Sequence, residues 1–312
     1  MDLVRSMRVF VAVAESGGFA SAAKTLRMSP PAVTRDVAAL EEHLGCKLLL
    51  RSTRHVRLSS TGSRYILDAR RILSELEDAE QSLIGAHREL SGRIVLTAPV
   101  MFGRLHVAAH ILGFARQYPA VAFDIRLLDR VIDMMEEGID VAVRIAHLAD
   151  STATAIRVGS VRRVLCAAPG YLSEHGTPQS LADLRRLDAI GLSASALGWS
   201  FSKSGRSRIV QKTPRFITNS IETAIDAAKS GLGLVQLLSY QATSTLKSGE
   251  LQAVLEEYEP DPVPVHILHL EGRAASRRVR AFVDHLVEHL RRDPVLKERD
   301  RSCSRRPASE TH

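Results

Sequence analysis

From Tyr65 to Leu90 the apolar residues fall alternately four and three apart: Tyr65, Ala69, Ile72, Leu76, Ala79, Leu83, Ala86 and Leu90. That is a heptad seam, the periodicity of a helix lying against another helix. A helix of this length divides the chain, whose 312 residues already suggest two or three folding units. Before it, short helical spacings are broken by glycine. After it, strands and helices alternate. Small alanines in the seam, with the charged Glu75, Glu77, Asp78 and Arg88 around it, favour a partner helix over packing on its own domain. Residues 63–90 are expected to form a linker helix that dimerises through Tyr65, Ala69, Ile72, Leu76, Ala79 and Leu83.

Residues 3–14 set Leu3, Met7, Phe10, Val11 and Ala14 on one helical face, and Ser16-Gly17-Gly18 ends that helix. A short helix over 20–26 follows, then a turn at Arg27-Met28-Ser29. A third helix begins at Ser29, a residue suited to capping it, and tolerates proline in its first turn. Its stripe is Val33, Val37, Leu40 and Leu44, and Gly45 stops it. Lys47–Leu50 and Val56–Leu58 read as two short strands around the basic loop Arg51-Ser52-Thr53-Arg54-His55, which is the pattern of a wing. Residues 1–62 thus read as a winged helix-turn-helix. They hold nine basic and five acidic side chains, so +4 of the chain's formal +7 sits in its first fifth.

That balance points to double-stranded DNA as partner. The second helix of such a unit enters the major groove with its N-terminal residues near base edges. Its outward face carries Pro30, Pro31, Thr34 and Arg35. Arg35 suits a bidentate contact to guanine and Thr34 a base or phosphate. The helix start at Ser29 suits a phosphate oxygen. Arg51, Arg54 and Arg57 suit phosphates, which supply affinity without sequence information.

Ser91-Gly92 opens an α/β region. Arg93–Ala98, Val121–Leu128 and Asp140–Ile145 read as strands, with helices over 103–118 and 131–137 between them. A second unit over about 162–265 has strands at Val164–Ala167 and Leu234–Leu237 and a helix over Thr223–Lys229. Val265–Leu270 reads as a further strand and 275–291 as a last amphipathic helix. No GxSxG elbow or P-loop is present, and Gly231-Leu232-Gly233 lacks the third glycine of a dinucleotide fingerprint, so no enzyme is expected. His106 and His110, four apart without an HExxH pattern, read as helix-surface histidines, and no metal or cofactor is expected. Cys46, Cys166 and Cys303 are widely spaced thiols, with a redox role for Cys166 the less favoured reading. No apolar run suits a membrane span or signal peptide, which predicts a cytoplasmic protein with no membrane partner. Residues 294–312 read as a basic, disordered tail.

The sequence resembles the LysR-type transcriptional regulators. The resemblance is carried by Met7-Arg8-Val9-Phe10, Gly17-Gly18-Phe19-Ala20-Ser21-Ala22-Ala23, Ser29-Pro30-Pro31-Ala32-Val33-Thr34-Arg35, Leu40-Glu41, Leu44-Gly45, Arg51-Ser52-Thr53-Arg54 and Leu58-Ser59-Ser60-Thr61-Gly62. It continues through Ser91-Gly92-Arg93, Thr97-Ala98-Pro99, Phe102-Gly103, Tyr118-Pro119, residues 137–144 and Gly231-Leu232-Gly233. It implies an α+β multidomain protein: a winged helix-turn-helix, a long linker helix, and an α/β effector domain of two lobes like the periplasmic binding proteins. With it come a homodimer or homotetramer, RNA polymerase as a further partner, and promoter binding modulated by a small-molecule effector between the lobes. Lobe I is expected at about 91–161 and 266–293, lobe II at about 162–265.

In that arrangement strand ends and helix N-termini face the effector. The candidates are Val100, Met101, Phe102, Arg144, Asn219, Ser220 and Val235; Arg144 suits a carboxylate ligand or an internal ion pair with Asp133 or Asp140, and Met101 and Phe102 read equally as core. The sequence departs from the family where Pro30 replaces a usual glutamine, Met101 a serine or threonine, and Leu238 a proline. Pro30 offers a base edge shape but no hydrogen bond.

Overall fold

The computed structural model describes residues 1–51, 56–83, 89–148, 153–192, 198–270 and 276–297. Helix α1 (Leu3–Ser16) starts at Asp2, whose carboxylate accepts from the Arg5 amide, and ends at Gly17 in the left-handed region. After α2 (Phe19–Leu26), Arg27 takes φ 53° and turns the chain into α3 (Pro30–Leu44). Ser29 holds the N-cap position, but its side chain makes no capping bond; its carbonyl receives the Ala32 and Val33 amides instead. Phe10, Val13, Ala22, Val33, Val37 and Leu40 form a closed core. Strands β1 (Leu49–Arg51) and β2 (Val56–Leu58) pair antiparallel as the wing.

Helix α4 (Ser60–Leu83) begins pressed on the wing: a Cβ on Gly62 would overlap the Leu48 carbonyl. Ile66, Ala69 and Leu73 face the helix-turn-helix core and are buried there, with the Tyr65 ring tilted on Phe10 at 5.8 Å. This corrects the expected seam. Ala69 has no exposed surface to offer a partner, because its face of α4 completes the N-terminal core. Ile72 is exposed and Leu76 half-buried. The side chains of Ala79 and Leu83 lie outside the described residues. Leu90 is not helical and packs on the core of the next domain.

The effector region contains two five-stranded sheets. In the first lobe come β3 (Gly92–Ala98), α5 (Val100–Phe102), a π-helical turn (Gly103–Val107), α6 (Ala108–Gln117), β4 (Val121–Leu127), β5 (Val141–Ile145) and β6 (Ala153–Val161). The helix expected over 131–137 is a single turn. Asp133 captures the Met135 and Glu136 amides, and Gly138 at φ 63° ends the turn at once. Met134 and Ile139 are buried against the sheet there, with Ile132 packed beside them.

The second lobe holds β7 (Arg163–Ala167), α7 (Pro169–His175), β8 (Ala189–Leu192), β9 (Trp199–Lys203), β10 (Arg206–Val210), β11 (Phe216–Thr218), α8 (Ile221–Lys229), β12 (Leu234–Leu238), α9 (Ser239–Ser248) and β13 (Gln252–Val254). Its sheet order is β11-β8-β12-β7-β13. The chain then returns as β14 (Val263–Leu270) and α10 (Arg277–Arg292). The first sheet has the order β4-β3-β5-β14-β6, so β14 sits inside it, antiparallel to both neighbours. The expected tail at 294 starts later: Pro294–Leu296 form a 3-10 turn, and Leu296 is buried over Gly159. Residues 298–312 lie outside the described residues. Among the described residues no helix is long and apolar enough to cross a membrane.

Two chain segments connect the lobes, at Arg162 and at residues 255–262. They are clasped together. Arg162 Nη1 lies 3.0 and 2.7 Å from the two carboxylate oxygens of Glu259, whose side chain is almost wholly buried. The Arg162 amide also donates to Ser239 Oγ at 3.1 Å.

Candidate nucleic-acid interface and effector site

Helix α3 buries Val33, Val37 and Leu40 and so turns Pro30, Pro31 and Arg35 outward. Arg35 is exposed and has no ion-pair or hydrogen-bond partner among the described residues, and the same holds for Arg57 on β2. Thr34 is half-buried, and its hydroxyl donates to the Pro30 carbonyl at 3.0 Å, which leaves only lone pairs for DNA. Arg5 Nε on α1 donates to Asp36 on α3 at 3.0 Å, a surface tie beside the core that the two helices share. Arg54 and the side chain of Arg51 lie outside the described residues.

Glu41, part of the Leu40-Glu41 motif but with no role assigned from the sequence, holds the wing to α3. Glu41 is buried in the last turns of that helix, and its Oε1 accepts from the amides of Leu48 and Leu49 at 2.9 and 3.1 Å. Lys47 Nζ reaches Oε2 at 2.7 Å. Burial would raise its pKa, but Lys47 and the two amides outweigh burial and hold it below the ordinary glutamate value. The signal was an acid on the inner side of α3, next to Leu40.

At the lobe junction the Val100 amide donates to Asp129 Oδ1 at 3.0 Å. Met101 packs against the cores of both lobes. Phe102 does not face a ligand. It is fully buried, with its centroid 5.0 Å from His106 and 5.2 Å from Tyr240, because the first turn of α5 directs it under the sheet. Val235 is likewise core, enclosed between β7 and α8. Asn219 is exposed, and Ser220 caps α8, its Oγ accepting from the Thr223 amide at 3.1 Å. Arg104 and Glu222 approach to 3.7 Å across the junction.

Arg144 lies on the face of the first sheet opposite Phe102, in register with His266. Its Nη1 donates to the Arg130 carbonyl at 3.2 Å, while Nη2 is buried without a hydrogen-bond partner. Burial holds its pKa below the ordinary arginine value, with Glu137 acting in the opposite direction. Asp133 and Asp140 are engaged by backbone amides instead. Cys166 is buried with its thiol pushed up to about 12 by desolvation, and its Sγ lies 3.7 Å from the Val235 carbonyl, so no reactive thiolate forms there.

A separate cleft of about 1280 Å³ opens beside the lobe connections. It is lined by Arg162, Ser239, Thr243, Glu256, Glu259 and Lys297 among others, and by none of the seven effector candidates. Its most buried charges, Arg162 and Glu259, already satisfy each other. Among the seven effector candidates, Arg144 has a buried donor without a hydrogen-bond partner in the described residues, which keeps it the stronger anion candidate.

Residues 4–63 match the bacterial regulatory helix-turn-helix proteins of the lysR family, and residues 87–291 match the LysR substrate binding domain. The chain belongs to the LysR family of transcriptional regulators. Among the relatives of this LysR-type regulator is the probable HTH-type transcriptional regulator LtrA of Klebsiella pneumoniae, 31% identical over 293 residues, 92% of this chain and 95% of that one. CrgA of Neisseria meningitidis serogroup B is 32% identical over 288 residues, 91% and 96% of the two chains. The solved structure of CrgA aligns with a TM-score of 0.59 at 31% identity, covering 92% of this chain and 98% of that one. ArgP of Mycobacterium tuberculosis shares the fold at a TM-score of 0.66 and 20% identity, over 91% and 96% of the two chains. The protein is therefore a DNA-binding transcriptional regulator with an effector-binding domain.

Proposed function

We propose that this LysR-type regulator reads promoter DNA as a homodimer or homotetramer, with Arg35 on a guanine edge and Arg51, Arg54 and Arg57 on phosphates. Pro30 and Pro31 contribute shape at the groove, Thr34 an acceptor, and the Ser29 end of α3 a phosphate contact. RNA polymerase is the further partner at promoters the protein activates, and catalysis has no part in its action. The observation that carries the DNA reading is Arg35: a cation near the start of an outward helix, with no partner among the described residues.

A small anionic molecule, best a carboxylate, is the proposed effector. Arg144 Nη2 supplies the charge-assisted bond it lacks at present. Met101 and Val100 form an apolar wall, and Asn219 and Ser220 present polar groups at the N-terminus of α8.

The deciding experiment is a footprint on the DNA upstream of the protein's own coding region, at two salt concentrations, with wild type and Arg35→Ala. The variant should lose about 1–3 kcal/mol at the specific site and relax base choice there, while both proteins keep a steep salt dependence. Equal weakening on specific and random DNA removes the base-reading role of Arg35.

A further inference from the structure

Four histidines gather where α6 and the π-helical turn pack against α10. His106 and His110, expected on a helix surface, are both half-buried. His285 and His289 stand one turn apart on α10 with ring centroids 4.2 Å apart. His110 on α6 lies 4.8 Å from His289 and 6.5 Å from His285. His285 Nε2 is 3.2 Å from the His110 carbonyl, and His289 Nδ1 is 2.7 Å from the His285 carbonyl. Phe114 closes the group, its ring 5.4 Å from His285.

The charged groups around the cluster decide what it does. Asp293 lies at the end of α10, but its carboxylate is bound to His106 Nδ1 at 2.7 Å. Glu288 is exposed and paired with Arg292 at 2.8 Å. Arg291 points to the Arg157 carbonyl at 3.3 Å. Thus His110, His285 and His289 have each other's rings and backbone carbonyls for neighbours, and no carboxylate bonded to any of them among the described residues. His106 connects the group to the other lobe, since its ring stacks on Phe102 and meets the edge of Tyr240 on α9 at 5.7 Å.

We propose that His110, His285 and His289 form a proton-responsive joint that seats α10 on α6 when neutral and loosens it when charged. Three imidazolium rings at these separations repel, and the nearest carboxylates, Asp293 and Glu288, are committed to His106 and Arg292 and offset that repulsion only in part. Loosening displaces α10 and, through His106 and Asp293, alters the contact with Tyr240 and so the relation of the lobes. The electrostatics agree: burial first, and then the neighbouring histidines, hold His110 and His285 below the ordinary histidine value. The unfolded chain therefore takes up protons before the folded one does. Stability is full above about pH 6.5 and falls as the pH drops below it towards the depressed folded values.

The test is thermal unfolding of the full-length protein from pH 5.0 to 8.0, comparing wild type with His110→Gln/His289→Gln. Wild type should lose roughly 5 °C or more in melting temperature between pH 7.5 and 5.5. The double variant should lose at most half as much, while His175→Gln, in the other lobe, should follow wild type. Equal slopes in wild type and the double variant overturn the proposal. If the double variant fails to fold, an NMR titration of the wild-type imidazoles decides: His110 and His285 titrating below the ordinary histidine value uphold it, and both titrating at that value overturn it. A rise in melting temperature with zinc chloride at pH 7.5, absent in the variant, assigns the rings to a metal and also overturns it.

Discussion

Glu41 occupies a position where a small helical core would ordinarily hold an apolar side chain. The wing strands leave two amides pointing at the end of α3, and a carboxylate is the group that satisfies both while pairing Lys47. Buried polar groups left without partners are costly. Glu41→Gln keeps an acceptor for the amides but loses the charge that strengthens those bonds and pairs the exposed Lys47, and should lower stability by about 1–2 kcal/mol, read as a shift in urea midpoint. The pH dependence has a definite sign. The folded carboxyl titrates below the unfolded one, so its contribution is complete above the ordinary glutamate value and disappears as the pH falls through the folded value. The variant should therefore lack part of the wild-type acid transition, and an identical acid limb in both proteins removes this role. At this scale the sequence was readable where a residue serves the backbone: Gly17 and Gly45 announce helix ends because both adopt positive φ. It was unreadable for Phe102 and Val235, since nothing local distinguishes a side chain facing a ligand from one facing the core.

Helix α4 has two duties on different faces. Ile66, Ala69 and Leu73 complete the N-terminal core, and Ile72 stays exposed. The heptad reading merged these faces because both are apolar and both repeat at close to helical spacing. The two faces predict different failures. Leu76→Glu should shift the sedimentation profile toward monomer and leave the helical content of the N-terminal domain intact. Ala69→Glu should unfold that domain, since it forces a charge into a closed core. If Leu76→Glu sediments as wild type, the partner helix does not lie there. Other elements escaped the sequence for stated reasons. The β9–β10 hairpin turns at Ser204-Gly205, a weaker signal than Asn-Gly. Helix α9 buries Gln241 and Thr245, which blurs its apolar stripe. Around 131–137 the periodicity was helical, but Asp133 captured the first amides and Gly138 closed the turn.

Across the whole molecule, Arg144 is a desolvated charge that its neighbours satisfy only in part. Arg144 bears a desolvation cost that an anion would offset. Arg144→Met should leave the ligand-free melting temperature unchanged or raise it, because a methionine carries no buried charge. Among a panel of small mono- and dicarboxylates, a true effector should stabilise wild type, by about 2.7 kcal/mol at a hundredfold excess over Kd, and should fail to stabilise the variant. Equal stabilisation of both places the ligand elsewhere, and the cleft beside Arg162 and Glu259 becomes the site to probe. The α/β character was legible from alternating strands and helices, but the division into two lobes and the return of the chain to the first came only with the family resemblance, since pairing across a hundred residues leaves no local trace.

Strand β14 lies between β5 and β6, yet more than a hundred residues separate it from β5. Synthesis on the ribosome therefore delivers the lobes out of order. The inserted lobe has all its strands by Val254, while the lobe begun first waits for residues near 270 before its sheet can close. Until then β5 and β6 expose unpaired edges to whatever strand is nearest. Nascent chains are thus most vulnerable to mispairing during the last stretch of translation, when the missing partner is the next segment due to emerge.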